Sequence, residues 1–495
     1  MLERVRFAPS PTGPLHIGGL RTALFNFLFT KNKNGVFVLR LEDTDRNRLV
    51  ENSDLYIEKA LAWAGISPDE GPSSGGKYGP YRQSERIDIY DEKINILIES
   101  GKAYYAFDSN EKLNDLRKKE EAKGRVFKYD SSVRSSLDNS LSMSDKNIKE
   151  KIINEPYVVR LKVEGGNTSA KDLLRGTVTV SNTVLDDKIL IKADGFPTYH
   201  FANVVDDYLM KITTVIRGEE WLPSLALHTL IYDAFGWEKP KFIHLPLILK
   251  PTGKGKLSKR DGAKGGFPLY PLSWEGEEGF KEMGFLKTGV INYLALLGWS
   301  PGGEKEIFSL EDLIRLFGVK GLQKGGAKFD FEKAKWINHQ HMSKLELTDF
   351  EAVFPKEVVD LKNKYPSKSE EIFLLLRERL KLASDFEKEI KFLLEDPKSY
   401  DQKILNKLSK NSPVNILEEI ELIIKDNGLK RLKENIGDLA KNKKIDIGSI
   451  MQLFRLALVG RLRGPDIITA ATILEKSVTL KRISNLKIHL KNKLT

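Results

Sequence analysis

The chain has no cysteine among its 495 residues. Disulfides, thiol nucleophiles and thiolate-held zinc are thereby excluded. It also lacks any run of about 18 apolar residues, the length a membrane-crossing helix needs. The opening MLERVRFAPS has no apolar core of the kind a secretory leader carries, so a cytoplasmic protein is expected. Clustered histidine is scarce too. His339 and His341 form an isolated H-x-H without further ligands beside it, and no metal is expected there. What is present describes a soluble globular protein: 40% hydrophobic and 30% charged residues, with a net charge of +11 and a pI of about 9.2. That charge suits a partner rich in phosphate, though lysine-rich composition alone does not establish one. At 495 residues, two to four domains are expected.

The chain is organised around residues 4–31. Arg4 to Ala8 reads as a short strand, Pro9 to Gly19 as a Pro/Gly-rich loop, and Leu20 to Lys31 as a helix with Leu20, Leu24, Phe27 and Leu28 at helical spacing. A strand that turns over glycines into a helix leaves unpaired N–H groups and the positive end of the helix dipole where a phosphate can sit. His16 lies in that turn beside Gly18 and Gly19. Taken alone, it could equally be a capping or packing histidine.

A second stretch, KPTGKGKLSKRDGAKGG at 250–266, cannot build a core and would seek anionic oxygens. By itself it could be any solvated run of charge. The segment Gly71–Lys77 fits G-x-x-x-x-G-K, but Tyr78 stands where a Ser or Thr should hold magnesium, and WAGISPDE before it is a helix end rather than a strand. A P-loop is rejected on both counts.

Together, His16-Ile17-Gly18-Gly19 and Lys256-Leu257-Ser258-Lys259-Arg260 resemble the two signature elements of class I aminoacyl-tRNA synthetases. Gly19 and Arg260 depart from the commonest form of that family, and both departures are similar to what glutamyl-tRNA synthetases use. The rest of the chain can be read against this resemblance. Gly35–Glu42 is an apolar run of the buried parallel type, ending in Glu42-Asp43-Thr44-Asp45. Helices are expected at 51–65 and 87–101. Residues 102–156 turn polar and lysine-rich, and strand-like segments follow at 157–163, 176–180 and 188–192. Periodic apolar structure returns over Asp194–Asp207. Strands are expected at 212–217 and 242–249, with a helix at 224–235 between them and helices near 288–297 and 310–317 beyond.

Beyond residue 343 strand signals almost vanish. Helices are expected at 372–386, 388–394, 402–408, 416–426, 428–442, 449–459 and 466–474. The terminal SVTLKRISNLKIHLKNKLT carries no acid, so it could rest on a phosphate backbone or be a solvated helix. This helical third is similar to the anticodon-binding cage of bacterial-type glutamyl-tRNA synthetases. The implied architecture is multidomain: a doubly wound, Rossmann-like α/β catalytic domain (1–101 and 194–249) with an α+β insertion at 102–193 that binds the tRNA acceptor end. A domain bearing the basic signature loop and stem contacts spans 250–342, and an all-helical anticodon-binding region spans 343–495.

The resemblance implies that glutamate is activated by ATP and transferred to tRNA(Glu). His16, Lys256 and Lys259 would act on the phosphates. Thr12, Gly18, Glu219, Trp221, Leu222 and Ser258 would help bind ATP. Arg6 would read the side-chain carboxylate of glutamate, Arg217 would be a second cation, Glu42 would take the ammonium group, and Ser10, Tyr199 and Asn203 would add polar contacts. Arg377 and Arg379 would meet the anticodon, with Arg379 rejecting a purine at its last base, so that tRNA(Gln) is not charged. Two further readings accompany this one: an enzyme that also charges tRNA(Gln), and an inactive tRNA-binding homologue. Mg²⁺ would arrive with ATP. No zinc is expected, since residues 102–130, where many relatives hold it through cysteines, contain neither Cys nor His. A monomer without membrane association is expected.

Overall fold

The computed structural model describes residues 2–401, 405 and 412–492. They form two compact units, one running up to Glu282 with Val290–Phe331, the other comprising Met283–Gly289 and the chain from Glu332 onward.

In the first unit, strand β1 (Arg4–Phe7) lies parallel to β2 (Val36–Leu39), with Arg4 opposite Val36 and Phe7 opposite Leu39. Every residue of β1 is buried, so its two arginines need partners. Arg4 forms a fork to Glu70 at 2.9 and 2.7 Å, and Arg6 reaches Asp207 at 3.0 Å. Helix α1 (Ile17–Asn32) begins three residues before the expected start, because His16 caps it, Nδ1 accepting from the Gly18 N–H at 3.1 Å. Gly18 and Gly19, read from sequence as loop, are its first turn. A Cβ on Gly19 would stand 2.6 Å from Leu15 Cδ1, so that side chain would have to shift to admit one.

After α2 (Ser53–Trp63) and α3 (Ile87–Glu99), the chain enters a three-stranded antiparallel sheet ordered β3 (Ala103–Ala106), β4 (Val158–Leu161), β7 (Ile189–Ile191), carrying α4 (Asn110–Glu121) and α5 (Asp145–Asn154). Buried Asp187 ties this region together. It accepts from Tyr104 Oη at 2.6 Å, from Arg134 at 2.8 and 2.9 Å, and from the Val163 N–H at 2.9 Å. Arg160 stacks on the Tyr129 ring at 4.0 Å, above a small core of Tyr104, Leu113 and Leu137.

The hairpin β5 (Asn167–Asp172) and β6 (Gly176–Ser181) leaves that sheet and pairs with the parallel strands β8 (Thr214–Gly218) and β9 (Lys241–Leu245), in the order β6-β5-β9-β8. β5 escapes a hydrophobic-pattern reading because its inward residues are Thr168, Ala170 and Asp172. β8 follows directly on a link to β1, where the Thr213 N–H donates to Arg4 O at 2.9 Å. Helices α6 (Tyr199–Leu209) and α7 (Leu225–Phe235) complete the doubly wound layer. The basic stretch is more ordered than its composition suggests. A turn closes between Lys250 and Gly255, buried Leu257 bonds to β10 (Ile248–Leu249), and α8 (Lys259–Gly265) follows immediately. Then come α9 (Lys287–Leu296), α10 (Leu310–Leu316), a short β11 (Ala327–Lys328) paired with β10, and α11 (Phe331–Met342).

The second unit packs α12 (Leu347–Val353), α13 (Pro355–Lys364), α14 (Ser369–Arg377), α15 (Asp385–Leu394), α16 (Pro413–Asn427), α17 (Leu432–Lys443), α18 (Ile447–Val459) and α19 (Ile467–Lys491) around one apolar core. The single helix expected at 372–386 is broken between Arg377 and Asp385. Backbone groups there bond elsewhere: the Ala383 N–H donates to Gly284 O at 2.9 Å, and Lys381 O accepts from Asn338 at 2.7 Å. The helix expected at 402–408 lies outside the described residues, Leu405 apart. Helix α19 breaks at Glu475, whose φ is 67°. Its acid-free second half is core on one side, through Ile483, Leu486 and Leu490, and finds acids on its neighbours, Lys481 and Arg482 on Asp396 and Lys487 on Glu421. Among the described residues, no helix is long and apolar enough to cross a membrane.

Candidate active site

A cleft of about 950 Å³ opens where the ends of β1 and β8 meet the start of α1 and the basic turn. It is lined by Arg6, Ser10, His16, Gly18, Glu42, Tyr199, Asn203, Arg217, Trp221, Lys256, Ser258 and Lys259. Residues as far apart as Arg6 and Lys259 are therefore brought together as the ends of parallel strands bring ligand-binding groups together in open α/β sheets. Thr12, Glu219 and Leu222 do not line it. Thr12 is taken up in a turn on Ser10 O, and Leu222 packs against the apolar core. Glu219 is clasped by Arg175 at 2.5 Å and by the Leu247 N–H at 2.9 Å.

One side of the cleft is a buried network of charge. Arg40, fully enclosed, holds Asp207 at 2.7 Å, Glu42 at 3.1 Å and Asp206 at 3.7 Å. Asp207 also receives Arg6 Nε, and the terminal nitrogens of Arg6 meet no hydrogen-bond partner among the described residues, so its fork is left for the cleft. Asn203 donates to Glu42 at 3.0 Å. Asp206 is satisfied by Arg86, Gln83 and Tyr90 at 2.7–2.9 Å. Burial pushes the Glu42 carboxyl up against the pull of Arg40 and Arg6, while Asp207 is held down by those same two arginines despite its burial. Arg217 donates to Tyr199 Oη at 3.0 Å, and the Tyr199 ring lies 4.3 Å from that of Trp221.

The other side is built for anionic oxygens. His16 is brought down to about 4 by burial first, then by Lys256 and Lys259, so its ring is neutral at physiological pH. Because Nδ1 accepts from Gly18, the ring proton sits on Nε2, a buried atom with no hydrogen-bond partner among the described residues. An uncharged N–H donor thus stands at the start of a 16-residue helix. Lys256 pairs with Glu220 at 3.1 Å, and Lys259 lies over the Tyr270 ring at 5.4 Å. The Ser258 hydroxyl donates to Asp261 at 2.6 Å, capping α8 with its proton engaged there.

Sequence reasoning missed Arg40, Asp206, Asp207, Arg21, His228, His244 and Asp172. Three carried a readable signal. Arg40 interrupts an apolar run, VFVLRLE, and Asp206-Asp207 ends an apolar helical face; a buried charge in either place requires partners. Arg21 lines the cleft while fastening α1 to Leu297 O at 2.9 Å and to Pro246 O.

A neutral histidine at a helix start, with lysines on a turn in the same cleft, fits the tRNA synthetases of class I that the two signature elements resemble. Residues 3–336 match the family described as tRNA synthetases class I (E and Q), catalytic domain, and residues 346–487 match an anticodon binding domain. A glutamate–tRNA ligase of Christiangramia forsetii is 49% identical over 97% of each chain, and one of Flavobacterium johnsoniae is 48% identical over 97% of this chain and 98% of its own. The crystal structure of a glutamate tRNA ligase from Elizabethkingia meningosepticum, in complex with its amino acid, superposes with a TM-score of 0.93 at 44% identity, covering 99% of this chain and all of that one. The chain belongs to the glutamate–tRNA ligase family.

Proposed function

We propose that the chain joins L-glutamate to tRNA(Glu) in two steps within this cleft. An α-carboxylate oxygen of glutamate attacks the α-phosphorus of ATP, and the bond to the β-phosphate breaks, releasing pyrophosphate. A hydroxyl of the terminal ribose of the tRNA then attacks the acyl carbon, and AMP leaves. The observation that carries this reading is the free fork of Arg6 in the same cleft as the uncharged His16 donor and the lysine turn.

The first step joins two anions, so positioning and charge neutralisation do the catalysis, and no side chain need act as nucleophile. Arg6 takes the side-chain carboxylate in its fork, with Arg217 as second cation. Glu42 receives the ammonium group, with Ser10, Tyr199 and Asn203 as polar contacts. His16 Nε2 donates to phosphate oxygens, Gly18 lets them approach, Trp221 lies beside the base, and Lys256 and Lys259 stabilise the charge that gathers on the phosphates. Magnesium arrives as the ATP complex, held by phosphates and water. No group of three or more metal-ligating side chains occurs among the described residues. Residues 102–193 would contact the acceptor end.

In the helical unit, Arg377 is fastened to Leu345 O at 2.6 Å, whereas Arg379 is held through Nε alone, by Glu389 at 2.8 Å. Its terminal nitrogens are the better placed to meet an anticodon base, and donors facing the donors of a guanine reject it. The proposed enzyme therefore charges tRNA(Glu) and not tRNA(Gln), and Arg379→Gln relaxes that choice.

The test is ATP–pyrophosphate exchange and aminoacylation with purified tRNA(Glu) and tRNA(Gln). Exchange that depends on glutamate, Mg²⁺ and tRNA, followed by charging of tRNA(Glu), supports the reading. Absence of both activities in folded protein overturns it. Comparable charging of both tRNAs overturns only the discrimination.

A further inference from the structure

We infer that His244 and Asp172 are positioning residues for Arg217, locking its guanidinium in the orientation in which it meets glutamate. The inference rests on the proposed role of Arg217 as the second cation of the amino-acid site. Arg217 and His244 are directly opposite one another on the parallel strands β8 and β9, and Asp172 ends β5, the next strand over. All three are withdrawn from solvent.

The hydrogen bonds run in one direction only. Asp172 accepts four N–H groups: His244 Nδ1 at 2.7 Å and its backbone N–H at 2.9 Å on one oxygen, Leu174 and Arg175 N–H at 2.8 and 2.7 Å on the other. A carboxylate so surrounded is held as the anion, below its usual range despite burial, and it fixes the imidazole proton on Nδ1. His244 Nε2 is left as a bare lone pair, which accepts Arg217 Nε–H at 3.0 Å. His228 Nδ1 at 3.3 Å and Tyr199 Oη at 3.0 Å occupy Nη1. Nη2, whose contact to Trp221 O is a long 3.4 Å, is the nitrogen left for a ligand. The guanidinium is thus turned by neutral acceptors, so its charge is not cancelled before a carboxylate arrives. This is the reverse of Arg6, which an aspartate anchors.

The two imidazole nitrogens can be imitated separately. In His244→Gln the side-chain oxygen can reach the Nε2 position and still accept from Arg217. In His244→Asn the amide can reach only the Nδ1 position, serving Asp172 and leaving Arg217 Nε–H unmet. An unmet buried donor is worth about tenfold or more in affinity. In tRNA glutamylation by the full-length protein, the KM for glutamate should rise about tenfold or more in His244→Asn and stay within about threefold of wild type in His244→Gln. The KM for ATP should be unchanged in both. Asp172→Asn is the second variant. An amide there sets N–H groups against donors and favours the other tautomer, which turns an N–H of His244 toward Arg217, so the glutamate KM should rise with that for ATP unmoved. Equal glutamate KM values in the Gln and Asn variants, or a wild-type value in Asp172→Asn, overturn the inference. Wild-type protein that charges tRNA alongside such a result separates this failure from failure of the proposed reaction.

Discussion

The two sides of the cleft follow opposite plans. On the side proposed to take the amino acid, Arg6, Arg40, Glu42, Asn203, Asp206 and Asp207 are all buried, and their charges are interlocked. On the side proposed to take the phosphates, Lys256, Ser258 and Lys259 are exposed and only Leu257 between them is anchored in the interior. Enclosed charges interact strongly and cannot relax, which suits a site that must choose one dicarboxylate by the placement of its ends. Exposed lysines are screened and adaptable, which suits charge stabilisation along a reaction in which the phosphates change shape. Rigidity goes to recognition and reach goes to chemistry.

The largest expected effect breaks the rigid side. Arg40→Met leaves Asp206, Asp207 and Glu42 facing one another without their shared cation, and losing one partner of a buried ion pair costs about 3–5 kcal/mol. Thermal or urea unfolding should show that loss. A variant as stable as wild type would mean that Arg6 and Arg86 suffice. Lys259→Ala addresses the other side: folding should be untouched, while kcat falls about two to three orders of magnitude with glutamate affinity unchanged. A rate within about twofold of wild type would make the basic turn bystander charge.

Arg6→Ala separates recognition from chemistry. Asp207 keeps Arg40, so the fold should hold, but the glutamate KM should rise by about two orders of magnitude while that for ATP stays constant. Equal losses for both substrates would indicate that β1 itself is disturbed. The smallest effect concerns His16, the buried donor beside the lysine turn. With the His16 ring brought down to about 4, its folded value lies below its unfolded one. Its neutral form contributes fully above the unfolded value, and stability is lost as pH falls from there toward the folded value. Histidine NMR should show no titration of His16 as pH drops through about 6.5. Lys256→Ala, removing one of the cations that lower it, should move its titration upward. A ring that titrates near 6.5 in the wild type would contradict both its burial and the field of the lysines.

Local pattern was enough to place most elements. β1, α3, α7 and, in the second unit, α16, α17 and α18 follow from local residue pattern, and the strand–turn–helix around His16 from its prolines and glycines, whereas α12 and α13 carried no expectation. It failed where side chains or distant backbone overrode propensity. Helix α1 starts early because His16 caps it, the helix at 372–386 is broken by bonds to Gly284 and Asn338, and β5 presents polar residues inward because His244 and backbone groups wait for Asp172.

The sequence by itself determined the chemistry at hand: the absence of thiols, the histidine-glycine turn, the lysine turn, and a helical third distinct from the α/β part. Those are properties of residue type and short spacing, which act within a few residues along the chain. Only the tertiary structure decided which charges meet. Asp207 holds Arg6 across 201 positions and Arg40 across 167, and Asp172 reaches His244 across 72. No local rule relates residues so far apart. A buried charge dictates that it must have a partner, but which partner it finds depends on the strand order and register that bring the two together.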